Sequence, residues 1–163
     1  MKEVTIYTDG SSRGNPGPGG FGTVLLFNGR EKRLNGGFEK TTNNRMEILA
    51  ALEGLRALKE PCEVTVFSDS KYLVNAFTKG WLENWKRMGW KRKKDQPLKN
   101  ADLWQEMDEA IRDHRINWQW VKGHAGHRFN EICDQLATEA ADGKNRAVDE
   151  GYLAEESGEA ELF

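Results

Sequence analysis

Two apolar segments of this chain each end in an aspartate, and this feature limits the folds that the chain can adopt. Residues 4–8 lead into Asp9, and residues 64–68 lead into Asp69. In α/β proteins, ligands bind at the edge of the sheet where the strands end. We therefore expect both carboxylates at one edge of a sheet, as part of a site.

Two further carboxylates fall in helical patterns. Glu47 opens one such pattern, and Asp134 lies within the last one. If the four carboxylates converge, their mutual repulsion requires a cation, and hard oxygen ligands suit Mg²⁺. Each acid alone has a plainer reading, as a cap of the following turn or as a charge on a helix surface. The prediction of a metal site therefore depends on all four together.

The order of predicted elements indicates a mixed α/β sheet. Strands are predicted at 4–8, 21–27, 31–39, 64–68 and 115–121, and helices at 44–58, 70–79, 81–88, 100–113 and 127–142. The dipeptide Asn28-Gly29 predicts a tight hairpin, whereas the Gly- and Pro-rich segment 10–20 predicts a loop. We expect a five-stranded mixed sheet whose first three strands are antiparallel, with helices on both faces.

Charge is unevenly distributed along the 163 residues, which are enough for one domain. The net charge is −2, yet residues 79–99, the basic segment, hold eight basic and two acidic residues. Such a run is often only a solvated face, but exposed aromatics are costly, and Trp81, Trp85 and Trp90 interleave with the bases. The segment therefore predicts phosphate contacts with a nucleic acid.

Cysteine use and hydropathy indicate the compartment. Cys62 and Cys133 lack metal-type spacing and predict free buried thiols in a reducing environment. No apolar stretch has the length of a membrane span, and the N-terminus does not resemble a signal peptide. We expect a cytoplasmic protein that has no membrane partner and acts as a monomer.

Several separated motifs resemble those of bacterial type 1 ribonuclease H. They are Tyr7-Thr8-Asp9-Gly10-Ser11, residues 14–20, Thr41-Thr42-Asn43-Asn44-Arg45-Met46-Glu47, Ser68-Asp69-Ser70, Trp120-Val121-Lys122-Gly123-His124, and Asn130-Glu131 with Asp134. The resemblance runs from about residue 3 to residue 142. It implies a ribonuclease H-like fold, with a catalytic domain at 1–143 that contains the basic segment. Residues 144–163 would be an acidic tail, which we expect to be largely disordered.

The resemblance also implies a chemistry. Members of the family hydrolyse the RNA strand of RNA–DNA hybrids by two-metal-ion catalysis, which leaves 5′-phosphate and 3′-hydroxyl ends. The implied cofactor is a pair of Mg²⁺ ions, with Mn²⁺ as a substitute. The implied metal ligands are Asp9, Glu47, Asp69 and Asp134, and His124 matches the family's catalytic histidine.

Substrate contacts follow by the same resemblance, and the implied partner is an RNA–DNA hybrid duplex. The residues that would contact the RNA strand are Gly10, Ser11, Asn15, Asn43 and Asn44. The residues that would contact the DNA strand are Lys40, Thr42 and Asn100 in a phosphate pocket, Trp81 and Trp85, and Lys86 and Arg87 of the basic segment.

Two other functions fit parts of the pattern. One is another metal-dependent nuclease of the same fold, such as an exonuclease or an integrase-like strand transferase. The other is a catalytically inactive module that only binds hybrids. The complete motif at 41–47 and the basic segment favour the hybrid endonuclease, and an inactive module should lack a carboxylate, whereas all four are present.

Overall fold

A six-stranded sheet organises the fold in the computed structural model, which describes residues 1–93, 96–123 and 127–161. The strands are β1 (Lys2–Ser12), β2 (Gly17–Phe27), β3 (Arg30–Thr41), β4 (Cys62–Ser68), β5 (Lys91–Lys93), β6 (Gln96–Pro97), β7 (Arg115–Trp120) and β8 (Arg146–Ala147). The helices are α1 (Asn43–Arg56), α2 (Lys71–Thr78), α3 (Trp81–Arg87), α4 (Ala101–Ala110), α5 (Arg128–Asp142) and α6 (Glu150–Glu161).

The sheet has the strand order β7-β4-β1-β2-β3-β8. β1, β2 and β3 are antiparallel, and β4 and β7 continue the sheet in parallel from β1. The five-stranded mixed sheet is therefore confirmed. The two-residue strand β8 extends it beside β3, and β5 pairs with β6 in a separate ribbon.

Helices cover both faces of the sheet, as predicted. Successive residues of a strand point to opposite faces, and neighbours on β2 show this directly. The Thr23 hydroxyl donates a hydrogen bond to the Ala50 carbonyl of α1 at 2.7 Å. A Cβ on Gly22 would overlap the Cys133 carbonyl of α5. β2 therefore lies between α1 and α5.

The segment 10–20 is mostly strand, so the prediction of a long loop was wrong. Ser11 pairs with Gly20 and Ser12 with Gly19, which leaves only residues 13–16 between the strands. The glycines serve close packing here. A Cβ on Gly20 would overlap the Ala137 carbonyl, so glycine allows the backbone of α5 to approach the sheet.

The described part of the C-terminal segment, up to residue 161, forms secondary structure where we expected a largely disordered tail. It forms β8 and α6, and the buried carboxylate of Asp149 joins it to the domain. Asp149 accepts hydrogen bonds from Arg45 Nε at 2.8 Å and from Thr41 Oγ1 at 2.7 Å. The buried contact of Asp149 with Arg45 therefore attaches this segment to the domain, although the segment has little apolar surface to pack. The domain boundary at residue 143 stays a prediction.

Within the described residues, we find no helix with the length and apolar character needed to cross a membrane.

Candidate functional site

Three of the four predicted carboxylates converge at one edge of the sheet. Oxygen atoms of Asp9, Glu47 and Asp69 all lie within 4.8 Å of one another. β1 and β4 are parallel neighbours in which Tyr7 pairs with Phe67, so Asp9 and Asp69 each follow that pair by two residues. The two strand-end carboxylates therefore lie together, as the sequence predicted.

Glu47 reaches this edge because α1 begins directly beside β1. Thr42 is the N-cap of α1, and its side chain accepts a hydrogen bond from the Arg45 backbone N–H at 3.2 Å. A Cβ on Gly10 would come within 2.5 Å of the Glu47 backbone nitrogen. The absence of a side chain at Gly10 thus allows α1 to place Glu47, which is only 4 % exposed, against Asp9.

Asp134 approaches the group from α5 and lies outside the trio. It faces a small pocket lined by Thr8, Asp9, Asp69, Gly123, His127, Asn130, Glu131 and Asp134. Its charge is one of the causes that raise the pKa of Asp9. We call Asp9, Glu47, Asp69 and Asp134 together the acidic edge.

The acidic edge holds carboxylates close together where water reaches them only in part. Burial, and next the charge of Asp69, raise the pKa of Asp9 to about 7. Burial, and next the charge of Asp9, hold the pKa of Glu47 well above its ordinary value. Glu47 Oε1 is buried, and no donor among the described residues reaches it. Its neighbours are carboxylates, which accept but do not donate when ionised.

The predicted RNA-strand contacts lie on connected segments near the acidic edge. Gly10 and Ser11 belong to β1, where Gly10 packs against Glu47. Asn15, in the short β1–β2 connection, accepts a hydrogen bond through Oδ1 from the Asn43 backbone N–H at 3.0 Å. This bond ties the connection to the N-terminus of α1, so two separate sequence motifs form one surface.

A large open groove of about 970 Å³, which we call the tryptophan groove, brings together four predicted substrate residues: Asn44, Trp81, Trp85 and Asn100. Its other lining residues are Tyr72, Arg92, Gln96, Pro97, Leu98, Lys99, Glu155 and Gly158. The Asn100 amide donates to Tyr72 Oη at 3.2 Å. Lys40 and Thr42 lie at the junction of β3 and α1, and Lys40 forms an ion pair with Glu156 of α6.

Some side chains of the basic segment already pack or form ion pairs within the protein, so only part of the segment is available to a ligand. Trp85 packs on the buried Trp104 with ring centroids 5.3 Å apart, so it also belongs to the core margin. Lys86 lies 3.4 Å from the buried carboxylate of Asp108 and thereby helps to hold α3 against α4. Arg87 is exposed.

His124 lies outside the described residues, so its role stays a prediction. His127, expected only to begin the last helix, is the N-cap of α5 but also lines the acidic pocket and stacks on Tyr7. Asn130 was missed, although it precedes Asp134 by four residues and so shares its helical face. Its Oδ1 is buried, with no hydrogen-bond partner in the described part of the chain.

Comparison with known proteins agrees with this geometry. The family model for RNase H matches residues 1–142. The chain belongs to the RNase H family. It is 54% identical over 155 residues to a ribonuclease H of Haemophilus influenzae (strain 86-028NP), which covers 95% of this chain and 99% of the relative. A ribonuclease H of Aeromonas hydrophila is 53% identical, covering 93% of this chain and 98% of its own length.

A solved structure supports the same assignment. LC9-RNase H1, described as a type 1 RNase H with the type 2 active-site motif, is 36% identical with a TM-score of 0.78. The match covers 94% of this chain and 80% of that one. The resemblance to bacterial type 1 ribonuclease H is thereby confirmed.

Proposed function

We propose that this ribonuclease H hydrolyses the RNA strand of RNA–DNA hybrids as an endonuclease, and that the acidic edge is its catalytic centre. The observation that carries the proposal is the convergence of Asp9, Glu47 and Asp69, on a fold whose relatives are ribonucleases H. Fold alone would not identify the reaction, since one fold hosts many activities. The carboxylate group supplies the site on which the argument depends.

The donor set of the acidic edge fits divalent cations. Its ligand atoms are carboxylate oxygens, one of which, on Glu47, is buried without a donor among the described residues. Carboxylates whose pKa is raised by burial and mutual repulsion gain most from an added positive charge. Asp9, Glu47, Asp69 and Asp134 would hold a pair of Mg²⁺ ions, with Mn²⁺ as a substitute. When bound, such a pair supplies an activated water and stabilises charge on the phosphate.

The chain's own residues would position the scissile phosphate and move protons. Attack by water, with no part for the ribose hydroxyl, leaves a 5′-phosphate and a 3′-hydroxyl. His124 would transfer a proton at the leaving oxygen or assist product release, because histidine titrates near neutral pH. Asn130 can both donate and accept hydrogen bonds beside Asp134, which suits it to orient a water or a phosphate oxygen.

Recognition of the hybrid would divide between two surfaces. Gly10, Ser11, Asn15, Asn43 and Asn44 would contact the RNA strand, where the 2′-hydroxyls distinguish RNA from DNA. The hydrogen bond between Asn15 and the Asn43 backbone supports this, because it joins both motifs into one surface.

The DNA strand would cross to the tryptophan groove. Lys40, Thr42 and Asn100 would take a backbone phosphate, and Trp81 and Trp85 would contact the sugars and bases. Lys86 and Arg87 would add contacts with little sequence preference. Since Lys86 already neutralises Asp108, we expect Arg87 to contribute more than Lys86 to binding of the DNA strand.

We also propose that the protein works as a cytoplasmic monomer. The two cysteines, Cys62 and Cys133, are both buried and unpaired, which suits a reducing compartment. Light scattering during gel filtration would measure the mass in solution, and a dimeric mass would contradict the monomer.

The reaction can be tested with labelled RNA–DNA hybrid, DNA duplex and RNA duplex of one sequence, in Mg²⁺, with product ends identified. We expect cleavage of the hybrid alone, with 5′-phosphate ends on RNA fragments. Cleavage of the DNA duplex would favour another nuclease of this fold, and hybrid binding without cleavage would favour an inactive module. Glu139→Gln on the exposed side of α5 is a matched control for substitutions at the acidic edge.

A further inference from the structure

The acidic helix α6 lies against the residues that we propose hold the DNA strand. Glu156 Oε1 is 3.1 Å from the Lys40 ammonium group. Glu155 Oε2 accepts a hydrogen bond from the Asn100 backbone N–H at 3.2 Å and lies 3.8 Å from Arg45 Nη1. Glu155 and Gly158 also line the tryptophan groove. Two carboxylates of α6 therefore contact Lys40 and Asn100, two of the three residues assigned to the phosphate pocket.

The carboxylate of Glu155 binds the backbone N–H of Asn100 as a phosphate oxygen would. Asn100 is the N-cap of α4, so its backbone N–H lies at the positive end of that helix. Carboxylates and phosphates both bind favourably at such a position. Lys40 is likewise a cation that either anion can satisfy. The carboxylates of Glu155 and Glu156 thus use donors and charge that a nucleic-acid phosphate would use.

The beginning of α6 is fixed, whereas its contact with Lys40 is exposed; Glu155 is less exposed and lies beside the buried Arg45. Asp149 is buried and bonded to Arg45 and Thr41, and a Cβ on Gly151 would overlap Asp102. By contrast, the side chains of Lys40 and Glu156 are 48% and 45% exposed. Exposed ion pairs contribute little to stability, so substrate can displace Glu156 from Lys40 while the first turn stays anchored.

We propose that α6 is a built-in competitor of the substrate, in which Glu155 and Glu156 occupy the positions of DNA-strand phosphates until the hybrid displaces them. The proposal rests on the proposed function, since it requires that Lys40 and Asn100 bind the DNA strand. It predicts that the free enzyme binds polyanions more weakly than its exposed cations alone would allow.

The test is to neutralise the two carboxylates without shortening the helix. Glu155→Gln and Glu156→Gln keep size and hydrogen-bonding capacity but remove charge. Glu156→Gln should lower KM for the hybrid at low salt by about 1.5- to 5-fold, the range expected from losing one exposed ion pair. Glu155→Gln should change KM in the same direction. kcat should stay constant, and the gain should vanish at high salt because screening weakens the competing contacts.

Glu150→Gln is the matched control. It removes a charge from the same helix, but Glu150 is an exposed residue of the first turn, which lies before the segment that contacts the pocket. It should change KM by much less than either test variant.

A double-mutant cycle distinguishes competition from a general loss of negative charge. If Glu156 acts by occupying Lys40, then Glu156→Gln should tighten binding in the wild-type background and have no effect beside Lys40→Ala. Binding can be measured by fluorescence anisotropy in an Asp9→Asn background, so that the hybrid is not consumed.

Two failures would be distinguishable. If Lys40→Ala and Thr42→Ala raise KM but neither glutamate variant lowers it more than Glu150→Gln does, α6 is only a structural brace and the inference is wrong. If Lys40→Ala and Thr42→Ala leave KM unchanged, the assignment of the phosphate pocket is wrong. Thermal unfolding of each variant measures stability separately, so a variant with unchanged KM but a lower Tm would show that the glutamate only stabilises the fold.

Discussion

Two ionic clusters in this protein, each with a buried residue at its centre, treat their carboxylates in opposite ways. The acidic edge gathers four carboxylates, and the buried ones among them find no cation in the described residues. The second cluster, which we call the Arg45 network, places Asp102 and Asp149 around a guanidinium that is only 1% exposed. One cluster has no cation of its own among the described residues, and the other contains Arg45.

The pKa values express this difference. At the acidic edge, burial and the neighbouring charges act together, and the pKa of Asp9 rises to about 7. In the network, burial alone would raise the pKa of Asp102, but its hydrogen bonds and charge contact with Arg45 prevail and lower it. Arg45 in turn has its pKa raised, because hydrogen bonds to Asp102 and Asp149 outweigh its burial. The comparison teaches that a partner's charge, more than burial, decides whether a cluster stabilises the fold or stores repulsion.

Asp9→Asn should have the largest effect on activity and would test the acidic edge directly. The amide keeps the shape of the side chain but removes one charge from the proposed metal site, so cleavage should fall below detection in Mg²⁺. The metal-free protein should become more stable, because one repelling carboxylate is neutralised. Cleavage rates and urea unfolding in EDTA measure both effects. A variant that cleaves near the wild-type rate would contradict the ligand assignment.

Arg45→Met should have the largest effect on stability. It removes the internal cation and leaves Asp149 buried without its charge partner, which typically costs about 3–5 kcal/mol. Urea unfolding measures the loss. Arg56→Met is the control, because Arg56 pairs with Glu53 and Glu106 at the surface and should cost no more than about 1 kcal/mol. Equal losses would remove the basis for treating the network as a buried anchor.

His124→Ala should slow turnover without ending it, since the four carboxylates remain. Loss of a proton-transfer group costs roughly 10²–10⁴-fold when it acts in the transition state, and less if it serves product release. We expect a decrease in kcat of roughly 10- to 1,000-fold, with little change in KM. His127→Ala, assayed beside it across pH 6–9, should have a much smaller effect. Equal effects at both positions would show that the catalytic histidine is wrongly assigned.

The pH dependence of metal-free stability should reveal which cluster dominates. Asp9 has a folded pKa of about 7 against an ordinary value of 3.8. Its contribution is therefore complete below about pH 3.8 and is lost as the pH rises through 7. The lowered pKa of Asp102 acts in the opposite sense, and its contribution is lost as the pH falls through the acidic range.

Unfolding in EDTA between pH 4 and 8 should thus show a decline in stability with rising pH. The decline should be smaller in Asp9→Asn, and replacing EDTA with Mg²⁺ should offset it in the wild type. A stability that rises with pH in EDTA would contradict the stored repulsion at the acidic edge.

Truncation after Tyr152 should have the smallest effect. It removes the exposed contact of Glu156 and the less exposed contacts of Glu155 but keeps Asp149 in the Arg45 network, so the free energy of unfolding should fall by less than in Arg45→Met. Cleavage should stay within a few-fold of the full chain. Truncation after Val148 removes Asp149 as well, and it should destabilise the protein as Arg45→Met does. Comparable stability of both truncations would show that Asp149 is not the anchor.

Local patterns were enough to predict most of the sheet and the converging carboxylates. Short apolar segments, a hairpin dipeptide and carboxylates at two strand ends are features of neighbouring residues, and the parallel pairing of β1 with β4 brings the two strand-end carboxylates together. The loop predicted for segment 10–20 was wrong because glycine occurs both in turns and where a helix packs closely on a strand. Its composition indicates a turn, but at Gly20 and Gly22 it serves the close approach of α5, which is more than 100 positions away in the chain.

The sequence by itself determined the five main strands, the helices from α1 to α5, the carboxylates that converge and the family, because each depends on residue type and short spacing. Only the tertiary structure decided the fate of the C-terminal segment. Its acidic composition predicts disorder, but Asp149 meets Arg45, 104 positions earlier, in a buried and hydrogen-bonded pair. Such a contact leaves no periodic trace in the sequence, since its strength comes from exclusion of water at a place that exists only after folding.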